Sequence, residues 1–157
     1  MNNLKINNYN FIKAMNDVIY YSNSIRLKDK WKEILNEESL QEISKDKKKL
    51  KNIASTFISM VKSKDFESNG FYECNDFIDK ILLVTSMNFL VTYLNNEEAY
   101  YGSWIYVVPD EAEDEDLEFI AEDNDLYKDT CELFIHCIKG YVKDGFYING
   151  ILYKEEK

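Results

Sequence analysis

One stretch near the carboxy end carries side chains that could do proton or metal chemistry. Asp129, Glu132 and His136 follow one another at steps of three and four residues, so a helix would place them on one face. Glu132 and His136 could act as a general acid/base pair, and with Asp129 they could supply three metal ligands. The simpler interpretation is an exposed i, i+4 pair, because His136 is the only histidine and no nucleophile is near.

The cysteines and glycines offer no stronger catalytic arrangement. Cys131 is next to Glu132, and acidic surroundings keep a thiol protonated. Cys74, Cys131 and Cys137 are too few and too unevenly spaced for a disulfide framework or a four-thiolate zinc site. The five glycines are isolated, which argues against a phosphate-binding loop. We therefore expect no enzyme, no cofactor and no metal, with a metal-dependent enzyme using the Asp129/Glu132/His136 face as an alternative.

A dense acidic segment is the strongest binding signal. Residues 110–125 contain ten carboxylates and no basic side chain. Such a segment attracts basic partners and can raise their association rates by roughly 10- to 1,000-fold. An aromatic residue beside it could anchor an interface, although a solvated loop is the alternative interpretation. The predicted partner-binding residues are Trp104, Asp110, Glu111, Glu113, Asp114, Glu115, Asp116, Glu118, Glu122 and Asp123.

Charge is divided unevenly along the 157 residues, whose formal net charge is −10. Residues 1–64 carry 13 basic and 7 acidic side chains, whereas residues 65–157 carry 6 and 22. This balance disfavours direct binding to nucleic acid. The composition, with 18 lysines, one arginine and sixteen asparagines, is typical of AT-rich genomes and suggests a low-GC bacterium or phage.

Neither a leader sequence nor a membrane segment is predicted. The amino terminus has no apolar stretch of signal-peptide length. The longest charge-free run, residues 81–96, is shorter and more polar than the roughly 20 apolar residues of a spanning helix. We expect a cytoplasmic protein that has no contact with membranes.

The amino-terminal part of the chain has the periodicity of helices. Apolar positions recur at helical steps over residues 9–21, and a shorter helix is expected around Trp31. A longer helix is predicted over residues 39–62, with Ile43, Leu50 and Phe57 on one stripe. If this stripe pairs with a second copy, the protein is an oligomerising structural module. Otherwise we expect a monomer or a weak dimer.

The remaining segments combine a buried helix with a small sheet. Residues 77–94 are apolar except for a narrow polar face and predict the central helix of the core. Strands are predicted at about 100–108, 117–121 and 145–154, and Asn149-Gly150 predicts a hairpin turn in the last of these. A helix is expected between Asp123 or Asn124 and about Val142. The length indicates one domain, 1–157, of α+β class with a helical amino-terminal two-thirds and a small antiparallel sheet.

Size and charge together suggest a role, although only by analogy. We expect a small, acidic, non-enzymatic inhibitor that docks a basic protein partner through its acidic segment. An immunity protein or antitoxin that masks a nuclease-like toxin fits this description. A phage protein that blocks a defence enzyme fits it equally well.

Overall fold

A computed structural model describes residues 7–35, 40–94, 104–109, 112–143 and 145–155. Within these ranges the chain is mostly helical and ends in one antiparallel hairpin, which confirms the predicted α+β class. The helices are α1 (Asn8–Tyr21), α2 (Ile25–Leu35), α3 (Leu40–Ser44), α4 (Lys47–Lys62), α5 (Ser68–Tyr72), α6 (Phe77–Tyr93), α7 (Asp114–Glu122) and α8 (Asn124–Val142), followed by strands β1 (Phe146–Ile148) and β2 (Ile151–Tyr153).

Helix α6 is central to the core, as its apolar sequence predicts. Leu83, Met87 and Leu90 are completely buried, and the helix packs against α1, α7 and α8. It also buries Lys80, which is 8% exposed. The Lys80 Nζ donates to Oδ1 of Asn124 at 3.2 Å and lies 4.9 Å from the ring centre of Tyr127. These two contacts compensate for taking the ammonium group out of water.

The helix predicted over residues 39–62 is interrupted. Asp46 has an extended backbone, and its carboxylate accepts hydrogen bonds from the backbone N–H groups of Lys48 and Lys49. This side-chain cap begins α4 and separates it from α3. The stripe of Ile43, Leu50 and Phe57 is buried in the core of the same chain. It therefore offers no surface for pairing with a second copy of the folded protein.

Two of the three predicted strands are wrong in the described part of the chain. Residues 104–107 form a helical turn, in which Val107 and Val108 donate their N–H groups to the carbonyl of Trp104. Residues 100–103 lie outside the described ranges. Residues 117–121 belong to α7, and its buried side chains, Leu117, Ile120 and Ala121, follow helical spacing.

The third predicted strand segment, the hairpin at 145–154, is confirmed. β1 and β2 pair antiparallel, with Phe146 opposite Tyr153. Asn149 and Gly150 make the turn with φ values of 51° and 82°, the left-handed conformation that these residue types tolerate. The hairpin is joined to the end of α6 because the N–H of Tyr147 donates to the carbonyl of Leu94 at 3.0 Å.

A close backbone approach joins α5 to the turn between α1 and α2. A Cβ atom built on Gly70 would lie 1.7 Å from the carbonyl oxygen of Ser22. Only glycine allows this approach. A hydrogen bond from the amide of Asn23 to the carboxylate of Glu73 joins the same two segments.

Candidate protein-interaction surface

Helix α7 has two different faces. Leu117, Ile120 and Ala121 are buried, and α7 packs against α6 and α8. The opposite face and the flanking residues carry carboxylates, and we call the exposed ones the acidic surface. Its members are Glu113, Asp114, Glu115, Glu118, Glu122, Asp123 and Asp125.

Two capping arrangements explain how a helix forms in so acidic a segment. The half-buried carboxylate of Asp116 accepts a 2.9 Å hydrogen bond from the N–H of Glu113 and closes the first turn of α7. Acidic residues in this turn also interact favourably with the positive end of the helix dipole. At the other end, Asp123 terminates α7, and its carboxylate accepts from the N–H groups of Asp125 and Leu126 to begin α8.

The acidic surface is not neutralised by lysines in the described part of the chain. The ion pairs there join Arg26 to Asp65 at 3.7 Å and Lys62 to Glu155 at 3.4 Å. Neither pair involves α7 or its flanking residues. Seven exposed carboxylates thus stand on one ordered segment without an ion pair to any of the described residues.

An exposed aromatic side chain lies among these carboxylates. Phe119 is 65% exposed, although phenylalanine is usually buried. It shares a helix face with Glu115, four residues earlier, and Glu122, three residues later. Phe119 is not among the predicted partner-binding residues, because strand alternation groups it with Leu117 and Ala121. Helical spacing of Leu117, Ile120 and Ala121 was the signal that could have found it.

The structure does not place every predicted partner-binding residue on this surface. Trp104 is completely buried, its Nε1 donates to Oδ1 of Asn88 at 2.8 Å, and its ring packs edge-on against Phe134. It belongs to the core and cannot act as the exposed anchor that we expected. Asp110 and Glu111 lie outside the described residues. The other predicted residues, Glu113, Asp114, Glu115, Asp116, Glu118, Glu122 and Asp123, lie together on α7 and its ends.

The alternative site on α8 has a different arrangement. Asp129, Glu132 and His136 are exposed, and the carboxylate of Glu132 accepts a hydrogen bond from the hydroxyl of Tyr72. The pKa of Tyr72 is raised, mainly by partial burial and secondly by this hydrogen bond. Within the described ranges, no three His, Cys, Asp or Glu side chains are grouped so that they could hold a metal ion.

The thiols have the properties of structural cysteines. Burial raises the pKa of Cys131 to about 12 and that of Cys137 to about 11. Burial also raises the pKa of Cys74, which is half-buried. A thiol with a raised pKa is protonated at neutral pH and is a poor nucleophile.

Comparisons with known protein families, curated proteins and solved structures find no match to this chain. No helix in the described ranges has both the length and the apolar character needed to cross a bilayer.

Proposed function

We propose that this protein is a small, non-enzymatic inhibitor that binds a basic protein through the acidic surface of α7. The observation that carries the proposal is the set of seven exposed carboxylates that form no ion pair with any described residue. Phe119 supplies the apolar contact that a purely electrostatic surface lacks. Aromatic side chains surrounded by polar groups are frequent centres of binding energy in interfaces.

The local cost of this arrangement supports a binding role. Like charges at i, i+4, such as Asp114 with Glu118 and Glu118 with Glu122, destabilise a helix by about 0.2–0.5 kcal/mol per pair. Basic groups of a partner would relieve this repulsion and convert it into a favourable contribution to binding. The same charges would increase the rate of encounter with a cationic surface.

The chemistry of the surface defines the class of partner. Proteins that act on nucleic acids expose cationic sites that contact phosphates, and a carboxylate-rich helix offers such a site a competing anion. The proposed partner is therefore a toxin or a nuclease-like protein, and the proposed role is that of an immunity protein, an antitoxin or a phage inhibitor of a defence enzyme. A cytoplasmic location belongs to the proposal and fits the three cysteines, which are thiols and not disulfides.

The test compares two triple variants that change the net charge equally. Glu115→Gln/Glu118→Gln/Glu122→Gln removes charge from α7, whereas the control Asp29→Asn/Glu33→Gln/Glu67→Gln removes it from exposed positions elsewhere. Partners captured by the tagged wild-type protein are identified by mass spectrometry, and their association rates are measured at low and high salt. We expect the α7 variant to associate about tenfold more slowly. It should also lose most of its salt dependence, while the control behaves like wild type. Equal rates for all three proteins would contradict the proposal.

A further inference from the structure

We propose that the partner element bound at this surface is a basic amphipathic helix, whose apolar side chains contact an exposed face of α6 while its cations contact the acidic surface of α7. This inference rests on the proposed function. It adds the conformation of the bound partner element and a second, apolar contact region on α6. Its basis is a juxtaposition of two neighbouring helices, one exposing apolar side chains and the other exposing carboxylates.

Helix α6 exposes an apolar stripe although it is the central helix of the core. Ile78 is 59% exposed and Leu82 is 45% exposed, and Thr85 and the half-buried Phe89 continue the same stripe. These four residues, spaced by four, three and four positions, form what we call the α6 face. They span ~16 Å along the helix at 1.5 Å per residue, which is about three turns of a partner helix.

The first border of the α6 face is α1. The hydroxyl of Ser86 donates to Oδ2 of Asp17 at 3.0 Å, and Phe89 packs edge-on against Phe11 at 5.1 Å between ring centres. These contacts place α1 along one side of the face.

The opposite border is formed by the segment before α7. Asn88 of α6 accepts the hydrogen bond from Trp104, which lies in that segment. Helix α7 itself packs directly against α6. The α6 face thus lies between the contacts with α1 and the contact with Trp104, on a helix that packs against the helix of the acidic surface.

Charge complementarity selects one kind of occupant. Acidic residues mark the beginning of α6 as well, where Asp76 is exposed and Asp79 accepts a hydrogen bond from Tyr21. The one lysine within α6, Lys80, is buried on the side away from the stripe. An apolar stripe beside carboxylates matches a helix that has apolar residues at i, i+3, i+4 and i+7 and lysine or arginine along its flanks. A second copy of this chain would bring the same negative charge against itself.

The experiment uses the full-length protein and synthetic 18-residue peptides labelled for fluorescence anisotropy. The first peptide places leucines at helical spacing and lysines at the remaining positions. A second has the same composition in an order that destroys the stripe, and a third replaces the lysines by glutamates. We expect the first peptide to bind at least about tenfold more tightly than the other two, the difference that separates a buried anchor cluster from a merely charged contact.

Variants of the protein locate the binding. We expect Ile78→Ser/Leu82→Ser to weaken the binding of the first peptide about tenfold. The control Tyr147→Ser/Ile151→Ser, at exposed apolar positions of the hairpin, should leave the affinity unchanged. Circular dichroism and urea unfolding confirm that each variant is folded. The charge variant Glu115→Gln/Glu118→Gln/Glu122→Gln should also weaken the binding of this peptide.

The outcomes separate this inference from the proposed function. Equal binding of the striped and scrambled peptides, or full binding by Ile78→Ser/Leu82→Ser, overturns the inference and leaves a purely electrostatic docking surface. Binding that changes neither with the α7 charge variant nor with the salt concentration overturns both the inference and the proposed function. The absence of binding by any basic peptide does the same. Dimerisation in sedimentation experiments that Ile78→Ser/Leu82→Ser abolishes would assign the α6 face to a second copy and would also overturn the inference.

Discussion

The indole of Trp104 donates a 2.8 Å hydrogen bond from Nε1 to Oδ1 of Asn88, and this contact joins the helical turn at residues 104–107 to α6. The tryptophan is completely buried, so its N–H has no access to solvent. A buried donor without an acceptor is costly, and Asn88 therefore has a structural function at this position.

Replacing Asn88 with alanine is expected to lower the free energy of unfolding by about 1–3 kcal/mol, because the buried indole N–H loses its acceptor. Urea unfolding followed by tryptophan fluorescence measures the loss. The control is Thr85→Ala on the exposed face of the same helix, for which we expect a change within about 0.5 kcal/mol. Similar stabilities for the two variants would contradict the proposed role of Asn88.

Trp104 and Phe119 should behave in opposite ways when each is replaced by alanine. Trp104→Ala removes a core side chain and should destabilise the fold by about 3–5 kcal/mol. Phe119→Ala removes an exposed side chain and should change stability by less than about 0.5 kcal/mol. In binding assays Phe119→Ala should lower the affinity for the captured partner about tenfold. Wild-type affinity for Phe119→Ala would remove this residue from the interface.

Gly70→Ala tests the contact between α5 and the turn after α1. The added Cβ would lie 1.7 Å from the carbonyl oxygen of Ser22, so the two segments must separate. We expect a loss of about 1–3 kcal/mol or more in the free energy of unfolding. Asn69→Ala, at the exposed neighbouring position in α5, is the matched control and should remain within about 0.5 kcal/mol of wild type. A stable Gly70→Ala protein would show that this approach can relax without cost.

Stability should fall as the pH rises above 9. Burial raises the pKa of Cys131 from 9.0 to about 12 and that of Cys137 from 9.0 to about 11 in the folded protein. Between these values the unfolded chain has lost protons that the folded chain still holds. The unfolded state then binds fewer protons, so the free energy of unfolding decreases with pH.

Tyr21 contributes in the same direction, because burial and the neighbouring Asp79 raise its pKa from 10.0 to about 12. Urea unfolding at pH 8, 9, 10 and 11 measures the slope. The double variant Cys131→Ala/Cys137→Ala should have a shallower slope than wild type, whatever its stability at pH 8. Constant wild-type stability from pH 9 to 11 would contradict this assignment.

Much of the fold follows from local signals in the sequence. Asp76 and Asp123 cap α6 and α8 from positions directly before helical segments, where short acidic side chains are typical caps, and Asn149-Gly150 forms the expected hairpin turn. Each of these features is decided by residues that are neighbours in the chain. The strand prediction for residues 117–121 is wrong because two patterns overlap there. The alternation of Leu117, Phe119 and Ala121 fits a strand, whereas the spacing of Leu117, Ile120 and Ala121 fits a helix. In the structure Ile120 is buried and Phe119 is exposed, as the helical spacing requires.

Which residues of α6 are buried and which are exposed was not predictable in the same way. The sequence places Thr85 and Asn88 on the one narrow polar face of residues 77–94. In the structure Asn88 faces Trp104, and the exposed positions next to Thr85 are the apolar Ile78 and Leu82. Whether a helix face is covered depends on elements distant in sequence, and periodicity within one helix contains no information about them.

Asp123 ends α7 and begins α8 as a single extended residue, and both helices are anchored by buried side chains. A joint with only two free torsions gives α7 little room to swing away from the body of the protein. The backbone positions that carry the negative charges are consequently fixed before any encounter, so that in the proposed complex only the side chains lose entropy on binding. Discrimination between partners should then depend on how well the spacing of their cations matches a rigid template.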